Sequence, residues 1–160
     1  MKKMSLLVSL LVCLSSAAAA ATPAADASPD ASARHRGNVE FLNSGRFSDW
    51  PFSEAVRVGN LVFFSGELGD VEGNGKIVPG GIVAEARQTM ENIKASVEAK
   101  GYKMSDVVKC TVFLADISEW AAFNTVYKSY FNKPYPARSA FGANGLALGA
   151  RVEVECMAAR

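Results

Sequence analysis

The segment from Ile82 to Lys100 most constrains the fold, because its apolar residues mark one buried face of a helix. They recur at spacings of four, three and four residues, which matches the period of an α-helix. These residues are Ala86, Met90, Ile93 and Val97. Gly101 follows directly and predicts the helix end. A helix with a single apolar face must pack against another layer of the same domain.

Short apolar runs on both sides of this helix predict that the other layer is a β-sheet. Ala55–Val58 and Leu61–Phe64 flank the turn residues Gly59-Asn60, as in a hairpin, and a short strand is expected at Ile77-Val78. Three further strands are expected after the helix. They are Val107–Leu114, Ser139–Phe141 and Val152–Ala158.

A second helix is predicted between two of these strands. Asp116 and Glu119 have the spacing of a capping box at its start. An aromatic stripe at helical spacing follows and ends near Phe131, before Pro134 prevents continuation. The stripe consists of Trp120, Phe123, Tyr127 and Tyr130.

The order of these elements predicts an α+β domain with two helices on one face of a mixed β-sheet. Phe63, Phe64 and Phe113 are many large apolar groups for a sheet with only two helices to cover it. The opposite sheet face must also be covered, and oligomerisation is the natural solution.

Residues 1–21 have the three parts of a Sec-type signal peptide. A basic start at Met1–Lys3 precedes the apolar run Leu6–Leu14, and small residues fill Ala17–Ala21. The apolar run is too short to span a bilayer comfortably. We therefore expect a periplasmic or secreted protein without a stable membrane anchor.

Residues 22–46 are interpreted as a linker or N-terminal extension, because most of this stretch is rich in Ala, Pro, Ser and Asp and lacks periodicity. The fold is expected from Phe47 to Arg160 as one domain. The 160-residue chain has a net charge of +1, with both signs interspersed. It therefore lacks the basic patch of a nucleic-acid-binding protein.

Cys110 and Cys156 remain after signal removal. An oxidising compartment allows a disulfide, but both lie in strand-like runs and small buried cysteines are common in cores. Unpaired core cysteines are favoured, and pairing stays open. His35 is the only histidine and lies in the extension, so the domain offers no Ser-His-Asp or Cys-His site and no zinc-ligand spacing.

Arg138, in the turn-bounded run Pro136-Ala137-Arg138-Ser139, offers a fixed fork for a carboxylate. Glu155 offers a carboxylate that could position or activate water, and Glu153 lies on the same side of the last strand because side chains alternate. A surface arginine and a solvated sheet face remain open as alternatives.

Two further positions are candidates for ligand contacts. Ser65-Gly66 ends an apolar strand and could present backbone N–H groups, although taken alone it is more simply interpreted as a strand-ending turn. Asn124 lies among apolar positions of the second helix, where a buried amide needs a partner and an exposed one does not.

These segments occur together, in this order and spacing, in one family, and the chain resembles the RidA (YjgF) family from about Pro51 to Arg160. The segments that carry the resemblance are Ser65-Gly66, Val107–Leu114, Phe123–Tyr127, Pro136–Ser139 and Val152–Glu155. The resemblance implies a chorismate-mutase-like α+β fold in a homotrimer, with sheets lining a barrel and clefts between subunits. It also implies hydrolysis of reactive 2-imino acids and their enamine tautomers to 2-keto acids and ammonia, without a metal or organic cofactor.

The resemblance assigns roles residue by residue. Arg138 matches the arginine that binds the substrate carboxylate, and Glu155 matches the acidic residue associated with the attacking water. Ser65, Gly66 and Asn124 match residues that line the cleft.

Three positions depart from the family pattern. Phe52 stands where a tyrosine hydroxyl usually lines the site, Ala140 where cysteine is frequent, and Leu146-Ala147 where Leu-Pro is usual. Two other functions are therefore weighed. One is a non-catalytic trimer that binds small carboxylates. The other is ribonuclease activity, which the near-neutral charge and the lack of a domain histidine disfavour.

Overall fold

The computed structural model describes residues 38–45, 49–71 and 75–160. The predicted signal peptide at 1–21, His35, Phe47 and the turn residues 72–74 lie outside the described residues. No helix within the described ranges is both long and apolar enough to cross a membrane.

The described residues form one mixed sheet with two α-helices. The strands run in the order β1-β2-β3-β7-β5-β6, and β4 pairs with β7 beside β3. The strands are β1 Val39–Leu42, β2 Ala55–Val58, β3 Leu61–Phe64, β4 Glu67–Leu68, β5 Val107–Leu114, β6 Ala137–Gly142 and β7 Val152–Ala159. The helices are α1 Gly81–Ala99 and α2 Trp120–Tyr127. This architecture confirms the predicted α+β class.

One pairing in the sheet is parallel and the others are antiparallel. β6 runs parallel to β5, and parallel neighbours need a crossover connection. Helix α2 and its flanking 3-10 turns, Ile117–Glu119 and Lys128–Tyr130, supply that crossover. The chain therefore returns to β6 across the helix-covered side of the sheet, which places α2 next to the start of β6.

The predicted elements differ from the observed ones in several places. Strand β1 is not predicted; it lies within the stretch 22–46 and pairs antiparallel with β2. Ile77 forms only an isolated bridge to Asp70 rather than a strand.

At the start of the second helical segment, Asp116 accepts a hydrogen bond from the Ser118 N–H at 2.9 Å. Glu119 does not complete the predicted capping box, because its carboxylate pairs with Arg151 instead.

Cys110 and Cys156 form a disulfide, which corrects the favoured interpretation of two unpaired cysteines. The residues are direct partners across the β5–β7 ladder, and their Cα atoms are 4.1 Å apart. Alternation along both strands places both side chains on the helix side, where they are buried. Register, which composition does not reveal, brings them together.

No described segment of the protomer covers the second face of the sheet. Large apolar side chains exposed on it include Phe41, Val58, Phe63 and Phe141, and the ring of Phe141 packs edge-on against Phe113 with centroids 5.0 Å apart. Phe64, by contrast, points to the helix side and is buried. An apolar sheet face of this size is typical of a protein–protein interface.

Polar side chains of α1 hold the strands around β4 in place. Asn92 Nδ2 donates to the carbonyl oxygens of Leu68 and Asp70, both at 2.8 Å. The buried Glu85 carboxylate accepts the backbone N–H of Arg151 at 2.6 Å. Gly69 lies against the helix, since a Cβ there would be 2.8 Å from the Glu85 carbonyl oxygen. Helix α1 therefore fixes the geometry of β4 and the entry into β7.

A semi-buried ion pair joins the β2 entry to the end of α1. Lys100 Nζ lies 2.6 Å from Glu54 Oε2, with side chains 10% and 11% exposed. Burial alone would raise the pKa of Glu54, but hydrogen bonds from Lys100 and Ser44 lower it to about 2. The folded state therefore binds the Glu54 proton more weakly than the unfolded chain does.

We predict that Glu54→Gln lowers the free energy of unfolding by about 1–3 kcal/mol at neutral pH, because Lys100 loses its counter-charge in a mostly buried setting. The wild-type advantage should be full above the unfolded pKa of about 4.3 and disappear as pH falls toward the folded value. Urea unfolding from pH 7 to pH 2, at one protein concentration, measures it.

The control is Glu40→Gln, which breaks the more exposed pair between Glu40 and Arg57, with side chains 58% and 33% exposed. Its effect should stay below about 0.5 kcal/mol. Equal losses in the two variants, or a Glu54→Gln deficit that persists at pH 2, would contradict the assignment.

Candidate functional site

The Arg138 cavity lies on the helix side of the sheet, between α2 and the start of β6. It has a volume of about 340 Å³. The residues that line it are Asn124, Tyr127, Lys128, Tyr135, Pro136 and Arg138. Arg138 reaches this side because it is the register partner of Cys110, which also faces the helices.

Aromatic rings of α2 hold the Arg138 guanidinium. Its central carbon lies 4.6 Å from the ring centroid of Tyr127 and 5.9 Å from those of Trp120 and Phe123. Stacking on a ring leaves the N–H edge of a guanidinium available for a planar anion. Within the described residues, no carboxylate pairs with Arg138.

Two buried polar atoms beside Arg138 have no hydrogen-bond partner in the part of the chain that the structure describes. They are Asn124 Oδ1 and the Tyr127 hydroxyl oxygen. Burial raises the pKa of Tyr127 to about 12, against the opposing effect of the Arg138 charge, so the hydroxyl stays protonated and can donate. Unsatisfied buried polar groups are costly. An anionic ligand would satisfy the guanidinium and the hydroxyl together.

The Glu153 cavity lies on the other face of the sheet, where β4 meets β7. It has a volume of about 320 Å³. Its lining includes Trp50, Phe52, Gly66, Leu68, Leu148 and Glu153. The Trp50 and Phe52 rings contact each other with centroids 5.9 Å apart.

A bulge at Ser65-Gly66 shapes the edge of this cavity. β3 and β4 pair with the same strand, and four residue steps from Phe63 to Glu67 oppose three steps from Met157 to Val154. Such an extra residue locally re-aims the chain and is frequent beside active sites. The Ser65 hydroxyl donates to the Ser53 carbonyl oxygen at 2.6 Å, so its role here is to fix the bulge.

Gly66 leaves room for the carboxylate that lies against it. A Cβ at Gly66 would collide with Glu153 Oε1 and would lie 2.9 Å from Glu153 Cδ. The absence of a side chain lets the Glu153 carboxylate approach the bulge backbone. Burial raises the pKa of Glu153, and the charge of neighbouring Glu155 raises it further.

The predicted site residues separate into two groups in one protomer. Arg138 and Asn124 share the Arg138 cavity, whereas Phe52 and Gly66 share the Glu153 cavity on the opposite sheet face. Glu155 lies on the same face as Glu153 but is exposed and opposite Thr111 on β5. A single protomer therefore does not bring the arginine and the acidic residues together.

Sequence reasoning assigned no functional role to three contributors to these cavities. Tyr127 was assigned only to an apolar stripe, although a tyrosine hydroxyl in such a stripe needs a partner. Glu153 differs from Glu155 by its contact with Gly66, which depends on the bulge. Leu148 carries no signal in the sequence, because its position follows from a turn between β6 and β7.

Comparison with known proteins gives consistent results. A family model described as Endoribonuclease L-PSP matches residues 46–160. A protein named 2-iminobutanoate/2-iminopropanoate deaminase from Capra hircus is 45% identical over 108 residues, which are 68% of this chain and 79% of that protein.

Solved structures agree in fold. The crystal structure of RidA from the Antarctic bacterium Psychrobacter sp. PAMC 21119 aligns with a TM-score of 0.69 and 36% identity, covering 76% of this chain and 99% of that one. Escherichia coli TdcF with bound serine aligns with a TM-score of 0.64 and 35% identity, covering 69% and 89%. With the family model matching from residue 46 to the end of the sequence, the chain belongs to the RidA (YjgF) family, described as Endoribonuclease L-PSP.

Proposed function

We propose that this protein hydrolyses reactive 2-imino acids and their enamine tautomers to 2-keto acids and ammonia. The observation that carries the proposal is the Arg138 cavity: a stacked guanidinium without a carboxylate partner in the described residues, beside the Tyr127 hydroxyl, which also lacks a hydrogen-bond partner there. This arrangement suits a small carboxylate. The name of the Capra hircus relative, an iminobutanoate and iminopropanoate deaminase, supports the reaction class.

We further propose that the complete site forms between subunits of a homotrimer. The two groups of site residues lie on opposite faces of one sheet, so a second copy must supply the missing half. The uncovered apolar face, with Phe63 and Phe141 exposed, supports association through this side of the sheet.

The proposed chemistry needs positioning more than activation, because an imine carbon is already electrophilic. Arg138 holds the carboxylate and fixes the imine carbon. Water adds its oxygen to that carbon, and Glu155 orients the water and receives its proton. Glu153, with its raised pKa, donates a proton to the departing nitrogen. The proton held by Glu155 then passes to the same nitrogen, the C–N bond breaks to release ammonia, and the hydroxyl proton returns to Glu153 as the ketone forms.

We predict that Arg138→Ala lowers kcat/KM for 2-iminopropanoate by roughly 100-fold or more, the value of a charge-assisted bidentate contact, while the oligomeric state is retained. Arg138→Lys should recover only part of the activity, since an ammonium cannot form the fork. The rate is measured as the decay of imine generated in situ.

Arg87→Ala, on an exposed position of α1, is the matched control and should retain wild-type rates. If the wild type binds pyruvate by calorimetry through Arg138 but does not speed imine decay, the protein is a carboxylate-binding trimer rather than an enzyme. Unchanged activity in Arg138→Ala would reject the assignment of the clamp.

The paired carboxylates predict a pH dependence. If Glu153 acts as the acid, activity falls as pH rises through its raised pKa, and Glu153→Gln removes that limb of the profile. Glu155→Gln removes a neighbouring negative charge, so the pKa of Glu153 should fall and the limb should move to lower pH. The measurement is kcat/KM against pH, with the uncatalysed rate subtracted at each point. Loss of activity in Glu155→Gln with an unchanged profile in Glu153→Gln would assign the acid–base role to Glu155 alone.

We also propose that the protein is exported. The N-terminal pattern of residues 1–21 supports this, and the Cys110–Cys156 disulfide is of a kind that persists mainly in oxidising compartments. Expression of the full chain in a bacterium should yield a periplasmic form cleaved near residue 21, with no thiol that alkylates under denaturing, non-reducing conditions. Intact mass spectrometry measures both features, and an uncleaved cytoplasmic chain, which keeps all three cysteines of the sequence as free thiols, would contradict export.

A further inference from the structure

We propose that the Glu153 cavity is a side-chain subsite that selects imino acids with aromatic or branched aliphatic side chains. The proposal rests on the proposed function and specifies its substrate class. Trp50, Phe52 and Leu148 form the apolar wall that would recognise the side chain. The substrate carboxylate would meet Arg138 of a neighbouring subunit.

The three apolar side chains of this wall are unusually exposed to solvent for residues of their size. Trp50, Phe52 and Leu148 are 57%, 46% and 53% exposed, yet all three line one cavity of about 320 Å³. Large apolar side chains converging on a concave surface are typical of a ligand site. A two- or three-carbon imino acid would leave most of this wall in contact with water, whereas a benzyl or isobutyl group would cover it.

The backbone of Leu148 gives an independent reason. Its φ of 59° and ψ of 13° place it in the left-handed region, and it is the only non-glycine residue with positive φ among those the structure describes. Gly145 and Gly149 nearby also have positive φ, so glycine would suit the turn better. A leucine in this conformation costs of order 1 kcal/mol or more. Its side chain lies over Gly75, where a Cβ would be 3.9 Å from Leu148 Cδ1.

The charges around the wall orient the substrate and restrict it further. Glu153 and Asp70 line the cavity, and the Glu67 carboxylate lies behind β4, where it bonds Ser96 of α1. This concentration of carboxyl groups opposes a second carboxylate in the substrate. Glu67 and Asp70 already accept hydrogen bonds, from the Ser96 hydroxyl and the Gly75 N–H respectively. An acidic side chain is therefore disfavoured, and the substrate carboxylate must point away, toward the guanidinium.

The test compares imines of phenylalanine, leucine, alanine and glutamate, generated in situ by an amino-acid oxidase with catalase present. Wild-type kcat/KM for the phenylalanine and leucine imines should exceed that for the alanine imine by about 10-fold or more, with the glutamate imine poorest. Leu148→Gly and Leu148→Asn, both compatible with positive φ, should lower the rate for the large imines by about 5-fold or more. The alanine imine should change less than 2-fold, roughly.

The thermal midpoint shows whether the Leu148 variants change substrate recognition alone or also the stability of the fold. Strain relief and added chain entropy oppose each other in Leu148→Gly, so the thermal midpoint should stay within about 3 °C of wild type. Val83→Ala, an exposed apolar change on α1, should leave the substrate ranking intact. A wild-type preference for the alanine imine, or an equal loss on all imines in both Leu148 variants, would overturn the subsite.

Binding distinguishes failure of this proposal from failure of the proposed function. If no imine is hydrolysed, calorimetry with phenylpyruvate and pyruvate still tests the wall. Tighter binding of phenylpyruvate that is lost in Leu148→Gly would uphold the subsite while refuting deaminase activity. Equal affinity for the two keto acids would refute the subsite itself.

Discussion

The antiparallel pairing of β5 with β7 is the constraint on which the rest of the structure depends. Its register places Cys110 opposite Cys156 and Val112 opposite Val154. This register determines which side chains of the two strands face the helices and which face the other side of the sheet. Buried residues of β7 alternate with Glu153 and Glu155 for that reason. Because β6 takes its register from β5, the same ladder also sends Arg138 to the helix side. A slip by one residue would exchange these faces and dismantle both cavities.

Much of the fold follows from local patterns. The periodicity of Ala86, Met90, Ile93 and Val97 predicts α1 correctly because all four residues are buried in the core. The hairpin of β2 and β3 follows from a glycine turn, with bounds as predicted. Strand β1 was missed because its Val-Glu-Phe-Leu sequence is short and preceded by polar, low-complexity residues, and its pairing with β2 is set by tertiary contacts.

The site was only partly predictable. Arg138 and Asn124 do share a cavity, since the crossover helix α2 lies over the start of β6. The acidic side of the site could not be ranked from sequence, because Glu153 and Glu155 share a face and a spacing. The bulge at Ser65-Gly66 distinguishes Glu153 from Glu155, and the pattern of residues in the sequence does not reveal this bulge. The disulfide was equally hidden, since it depends on the register between two strands whose cysteines are 46 residues apart in sequence.

The aromatic stack around Arg138 has a consequence for the energetics of recognition. A free arginine side chain loses much rotational freedom when it grips a ligand, at a cost of about 0.5–1.5 kcal/mol for an immobilised side chain. Here the ring of Tyr127, 4.6 Å from the guanidinium carbon, has already restricted that motion during folding. The entropic penalty is thus transferred from the binding equilibrium to the folding equilibrium, and the domain arrives at its ligand with a preorganised cation.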